Sequence, residues 1–389
     1  MQPQSGMTSF FLKSVPEICF GPGRLGDIAV DAASVGEPGK AVALVADSVL
    51  VELGVVGRVQ TALEEAGASV ALFGEVAGEP KQAQLDAATD LVRRHEAGLV
   101  ICLGGGSAMD IGKVAATVAR TGESPAAFAM QGLPLPRQSI PKICVPTTAG
   151  TGSELSSTNI FTNKDGRKVW VWGQETKPER VILDPELTTT LPPGLTAWTG
   201  LDAFAHALES CTNQHRHEGN DLYSHRALSL IAGALETAVN EPMNLDARGD
   251  MLLGSALAGI AIDNCSAGMA HNISHALAAL APVHHGLATA LGLETVLAWQ
   301  AELDDGPYAR AAAACGLAPD PSALVDWYSG FMTRCGVARK LPDGFAGLTA
   351  ANLVVEMTAP ETRYMRESSV RPVGDGDITR FADAVMAMA

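Results

Sequence analysis

The stretch GLVICLGGGSAMDIGK, residues 98–113, decides how the chain is read. Leu99 to Leu103 is an unbroken apolar run of strand length, and Ser107 to Ala119 carries helical spacing. Gly104, Gly105 and Gly106 join the two, so the backbone turns sharply where a strand hands over to a helix. The first N–H groups of that helix have no partner within it, and a diphosphate is a natural occupant of such a place. The pattern is neither GxGxxG nor GxxxxGK[ST], and a plain tight connection produces the same turn. Asp110, at the start of the helix, either caps it or reaches cofactor hydroxyls.

Outward from this turn, the same alternation recurs. Strands are expected at 41–46, 69–73, 140–145 and 181–185, helices at 49–66 and 85–96, and a β-rich extension at 159–162 and 168–172 around the turn NKDG. A βαβα cadence of this kind implies a largely parallel, Rossmann-like sheet covered by helices on both faces. A second polar glycine loop, PTTAGTGSE (146–154), follows a strand, and with the first it makes a cleft at one sheet edge. Asp47 ends a strand at that cleft. A carboxylate there accepts hydrogen bonds from a ribose diol and repels a 2′-phosphate, which favours NAD(H).

After Pro192-Pro193-Gly194 the texture changes to Ala- and Leu-rich helical periods at 196–212, 219–239, 247–263, 268–280 and 285–300. An α/β dinucleotide-binding domain at 1–190 and an all-helical domain at 191–389 are therefore expected. In the second, Asp202 and His206 stand four apart, as do His271 and His275, with His285 ten residues later. Spacing of four puts each pair on one helix face. Four ligands drawn from these five residues make an O/N₃ set suited to Fe(II), Zn(II) or another first-row ion, which would polarise an alcohol or carbonyl oxygen. Singly, each histidine is more simply a helix cap or a core hydrogen-bonding group. His215, His217 and His225 lie in polar surroundings and read as a solvated segment, and His284 as a weaker ligand than its neighbour His285.

Composition narrows the partners. A net charge of −16 repels nucleic acid and anionic membrane, and no apolar run reaches membrane-spanning length. Seven cysteines without a CxxC pair, and Lys13 alone ahead of an interrupted apolar stretch rather than a signal peptide, indicate a reduced, cytoplasmic protein acting on a small molecule.

Taken together, FGPG (20–23), GGGSAMDIGK (104–113), PTTAGTGSE (146–154), LDPEL (183–187), GLDAFAHALE (200–209), MLLGSALAGIAIDN (251–264) and the spacing of His271, His275 and His285 resemble the iron-containing, or group III, alcohol dehydrogenase family over nearly the whole chain. The resemblance implies a dehydroquinate synthase-like two-domain architecture and NAD(H)-dependent interconversion of an alcohol with an aldehyde or ketone, on a polar or functionalised substrate. It implies Asp202, His206, His271 and His285 as ligands of one divalent metal, Fe(II) first and Zn(II) as the alternative, with Asp202 thereby catalytic. His275 would stand near nicotinamide and substrate as a proton-handling catalytic residue. Gly105, Gly106 and Ser107 would meet the diphosphate, Thr147, Thr148, Thr151 and Lys168 would line the cofactor site, and Asp47 would set NAD preference. Homodimers or larger homo-oligomers are expected.

The sequence departs from the family at several positions. Gly78-Glu79-Pro80-Lys81 stands where PNPT is usual, and Ile262 and Asp263 stand where an aromatic and a serine are usual. Glu294-Thr295 replaces Pro-His, and MRESSVR (365–371) replaces CTxxNPR. Isoleucine at 262 leaves room for a bulkier or more polar substrate. Arg363, Arg366 and Arg371 would serve an anionic aldehyde if the C-terminal segment reached the pocket. Rival readings are a polyol or glycerol-type dehydrogenase, an NAD- and metal-using cyclase or lyase of the dehydroquinate synthase type, and a catalytically silent metal-binding scaffold.

Overall fold

The computed structural model describes residues 9–37, 41–303 and 306–389. Residues 1–8 of the amino-terminal stretch lie outside the described residues. A six-stranded parallel sheet is built from β1 (Glu17–Phe20), β2 (Ala41–Asp47), β3 (Val70–Val76), β4 (Ala97–Gly104), β5 (Lys142–Pro146) and β8 (Arg180–Leu183), in the order β1-β8-β5-β4-β2-β3. A separate antiparallel hairpin, β6 (Thr158–Thr162) and β7 (Lys168–Trp172), flanks it. Every residue of β4 is buried, as a near-continuous apolar strand covered on both faces must be.

Alternate residues of the strands feed two cores. Leu44, Ile101, Leu103, Ile143 and Ile182 pack beneath the helices Ile28–Val35 and Val55–Glu65. Val45, Val100, Cys102, Cys144 and Val181 face the other way and join a core that continues into the helical half. That half begins with the helix Pro193–Thr212 and continues through Glu218–Asn240, Leu245–Cys265, Met269–Leu280 and His285–Ala301 to the closing helix Asp375–Met386. Among the described residues no single helix is long and apolar enough to cross a membrane.

The chain differs locally from the sequence expectation. β1, too short to show a period, forms the sheet edge beside β8. The helix expected over 49–66 is two helices, Ser48–Glu52 and Val55–Glu65, because Gly54 takes a left-handed φ of 73°. The last strand stops at Leu183, and Pro185 opens a 3-10 turn capped by Asp184.

β2, β4 and β5 are neighbours whose C-terminal ends lie at one sheet edge, with Ala46 opposite Leu103 and Gly104 opposite Pro146. Strand order reverses direction there, so a crevice opens outside these ends. The loop after β5 enters the helical half at Gly152, where a Cβ would collide with the backbone of Gly259 in the Leu245–Cys265 helix. Each of these two glycines is required by the other, and they bring the two halves into contact beside the crevice.

Candidate metal and cofactor site

Three helices converge on the crevice from the helical side. Pro193–Thr212 carries Asp202 and His206 one turn apart, Met269–Leu280 carries His271, and His285 opens His285–Ala301. The last helix seats its first turn directly on the first, because a Cβ at Gly286 would strike the carbonyl of Trp198 and approach the Asp202 side chain. One ligand atom from each of Asp202, His206, His271 and His285 falls within 4.8 Å of the others. His271 Nε2 stands 3.6 Å and His285 Nε2 3.5 Å from Asp202 Oδ1, and the His206 and His271 rings are stacked at 4.6 Å.

Three of these donors are unsatisfied, an arrangement that suits a cation. Asp202 Oδ1, His206 Nδ1 and His271 Nε2 are buried and have no hydrogen-bond partner. Such orphaned atoms are costly in a protein interior unless an ion satisfies them. The far sides of the His271 and His285 rings are anchored. Glu209 Oε2 accepts from His271 Nδ1 at 2.6 Å and from the Gly268 amide at 2.7 Å, while Oε1 accepts from the Ala270 amide at 2.6 Å. Ser274 Oγ is 3.1 Å from His285 Nδ1 and donates to the His285 carbonyl, so it accepts from the ring. Both rings therefore turn a lone pair on Nε2 toward Asp202.

The electrostatics suit a cation as well. Burial acts to raise the Asp202 carboxyl, but His206, His285 and His271 hold it far below the usual carboxylate range. Burial acts to lower His271, and Glu209 and Asp202 outweigh it, so that without a metal its pKa is pushed up to about 10. A proton on His271 then takes the place that a metal charge would fill. Burial pushes His285 down to about 3. His275 lies one turn beyond His271, outside the four-ligand group, with its ring 5.6 Å from that of His285. Burial first and the Lys168 charge second hold it well below its ordinary value, so it is neutral at pH 7.

On the sheet side, the Gly106–Val118 helix starts after Gly105 without a side-chain cap, leaving its first amides open to the crevice. The two glycine loops interlock: the Thr147 amide donates to the Gly104 carbonyl at 2.8 Å, Thr148 lies beside Gly105, and Thr151 lies beside Gly106. Asp47 Oδ2 accepts from the Gly105 amide at 2.7 Å. Ser107 Oγ donates to the Gly78 carbonyl at 2.8 Å. Asp110 spends both oxygens within the protein, accepting from Ser153 Oγ on one and from the Ile160 amide at 2.9 Å on the other, and so ties the second loop to the hairpin. Lys168 Nζ donates to Glu79 Oε1 at 2.9 Å.

Other candidate residues have contacts of their own. His217 caps the Glu218–Asn240 helix and stacks on Phe10 at 4.5 Å, and His284 caps the His285–Ala301 helix. The arginines considered for an anionic substrate are engaged elsewhere. Arg371 lies over Trp299, 14 residues beyond His285 and thus about 21 Å along the helix, and bonds to Glu302. Arg366 donates to the Met357 carbonyl and Arg363 to Glu367. Sequence reasoning missed Glu209, although it follows His206 by three residues and Asp202 by seven, on the same helix face.

A parallel dinucleotide-type sheet joined through its crevice to a helical His₃Asp centre defines a metal- and nicotinamide-dependent oxidoreductase. The family models for "Iron-containing alcohol dehydrogenase" and "Fe-containing alcohol dehydrogenase family, C-terminal" match residues 16–185 and 196–349, and the chain belongs to this family. It is an enzyme that interconverts an alcohol and a carbonyl compound, using NAD and a metal. Sulfoacetaldehyde reductase of Bilophila wadsworthia is 34% identical over 281 residues, 72% of each chain. Long-chain-alcohol dehydrogenase 1 of Geobacillus thermodenitrificans is 32% identical over 294 residues, 74% of each chain. Among solved structures, sulfoacetaldehyde reductase from Bifidobacterium kashiwanohense in complex with NAD+ superposes with a TM-score of 0.88 at 28% identity, covering 96% of this chain and 98% of that one.

Proposed function

We propose that Asp202, His206, His271 and His285 hold one divalent metal, Fe(II) in the first place and Zn(II) as the alternative, and that NAD(H) lies across the two glycine loops with its nicotinamide toward His275. The observation that carries this reading is the set of buried, unpartnered donor atoms on Asp202, His206 and His271 facing one another beside those loops. When bound, the metal supplies Lewis-acid polarisation of the substrate oxygen and the nicotinamide supplies the hydride acceptor or donor.

The chain's residues do the rest. Glu209 and Ser274 lock the His271 and His285 rings in the ligating tautomer. The open first turn at Gly106 and Ser107 receives the diphosphate, with Gly105, Thr147, Thr148 and Thr151 around it. Asp47 keeps Oδ1 for the ribose diol, since Gly105 takes only Oδ2. Asp110 acts on the cofactor by holding the second loop, and Lys168 lines the cofactor site as the partner of Glu79. His275, neutral at pH 7, takes the alcohol proton on a ring nitrogen during oxidation and returns it during reduction. The working form is a cytoplasmic homodimer or larger homo-oligomer acting on small alcohols and aldehydes.

Metal analysis paired with NADH oxidation over an aldehyde panel, on anaerobically purified enzyme, tests the reading. His271→Ala and His285→Ala should lose bound metal, whereas His275→Ala should keep it and turn over more slowly. Full metal occupancy in both of the first two variants would overturn the ligand assignment. Absence of net NADH consumption across the panel would favour a cyclase or a silent scaffold.

A further inference from the structure

The hairpin strand β7 presents alternate residues to opposite sides. Val169 and Val171 pack into the core, so Lys168, Trp170 and Trp172 form the other row. Lys168 sits at the crevice end of this row, since its partner Glu79 follows Gly78, to whose carbonyl Ser107 of the first glycine turn donates. Trp170 is two residues, or about 7 Å, further out. There its ring meets Tyr364 edge to face, with centroids 5.7 Å apart.

Tyr364 comes from the helical half and is held in place from the metal site. Asn272, next to the ligand His271, donates to the carbonyls of Met357 at 3.1 Å and Thr362 at 3.2 Å. The short helix Arg363–Glu367 packs on Met269–Leu280, and Arg167 beside β7 pairs with Glu361 at 3.5 Å. The aromatic pair therefore bridges the two halves outside Lys168 and His275. Ile262 lies one helical turn from Gly259, on the face that meets the second glycine loop.

The charges at this edge are matched. Lys168 is paired with Glu79, in the place where the resemblance puts a neutral asparagine, and Arg167 with Glu361. A substrate anion here would meet the Glu79 carboxylate, while Arg363 and Arg371 are paired with Glu367 and Glu302 and Arg366 donates to the Met357 carbonyl.

We propose that Trp170 and Tyr364 form the outer wall of the substrate pocket and that, with the Glu79–Lys168 pair, they select an uncharged alcohol or aldehyde with a bulky, flat or long body over a short or anionic one. This rests on the reading of the site given above. An aromatic wall rewards a large apolar body by contact area, and a compensated lysine gives an anion no net attraction.

The test compares kcat/KM for propanal, 3-phenylpropanal and succinic semialdehyde in metal-loaded enzyme with NADH. Wild type should prefer 3-phenylpropanal to propanal and disfavour the semialdehyde. Trp170→Ala and Tyr364→Ala should each lower the 3-phenylpropanal to propanal ratio about tenfold, and Trp170→Phe and Tyr364→Phe should restore it. Glu79→Asn should raise the semialdehyde to propanal ratio about fivefold. A wild-type preference for the semialdehyde would overturn the proposal, as would alanine variants in which both aldehydes lose rate together at an unchanged ratio. Failure of wild type to reduce any aldehyde would instead refute the underlying assignment as an aldehyde reductase.

Discussion

At the scale of single residues, Glu209 shows how much of a metal site lies behind its ligands. Its side chain is buried and accepts three hydrogen bonds, two from the amides at the start of the Met269–Leu280 helix and one from His271. The helix start favours a negative charge, and the charge in turn keeps the proton of His271 on Nδ1. Glu209→Gln preserves shape but turns one acceptor into a donor facing an N–H. Metal affinity should fall about ten- to hundredfold, measured by competition with a chromophoric chelator. Wild-type affinity in this variant would show that packing alone orients the ring.

Among elements, the loop after β5 works by burial of polar groups. Lys113, fully buried, donates to the carbonyls of Ser153 at 2.6 Å and Ser156 at 3.0 Å, and so fastens the loop to the helix that follows the first glycine turn. Glu154 between them is 2% exposed, and burial pushes its carboxyl up from 4.5 to about 7. Its folded pKa thus lies above its unfolded one, and the fold retains a proton that the unfolded chain has released. Stability is lost as pH rises from about 4.5 to 7, on the order of 3 kcal/mol in all. Glu154→Gln should abolish this component: chemical denaturation at pH 5 and pH 8 should differ less for the variant than for wild type, and the variant should be the more stable at pH 8. Equal pH dependence in the two proteins would rule out Glu154 as its source.

For the whole molecule, a polar clamp joins the two halves. Asp263, at the end of the Leu245–Cys265 helix, accepts from the Ser157 amide at 2.8 Å and from Ser157 Oγ at 2.5 Å. It also pairs with Lys177 at 2.8 Å and Lys13 at 3.5 Å, so that three segments of the sheet half converge on one buried carboxylate. Asp263 stands where the family usually has a serine, so this departure supplies the carboxylate of the cluster. Asp263→Ala leaves two largely buried lysines without their partner and should cost about 3 to 5 kcal/mol, seen as a lower calorimetric Tm. A Tm within a degree of wild type would mean that the lysines find water instead.

The sequence by itself determined the alternation of strands and helices, the two glycine turns and the five candidate donors, because these depend on local periodicity and backbone freedom. Spacing along a helix brought Asp202 to His206 and His271 to His275, but it left open which histidines share a centre. Tertiary structure decided that. Three helices separated by tens of residues cross so that His285 joins the first three donors and His275 stands one turn aside. It also assigned work to residues whose partners are remote in the chain: Glu209 behind His271, Asp110 between loop and hairpin, Glu79 on Lys168, Trp170 against Tyr364. It turned the C-terminal arginines away to their own partners. Such roles rest on contacts between side chains far apart in sequence, which local patterns do not encode and only the packing of helices on the sheet creates.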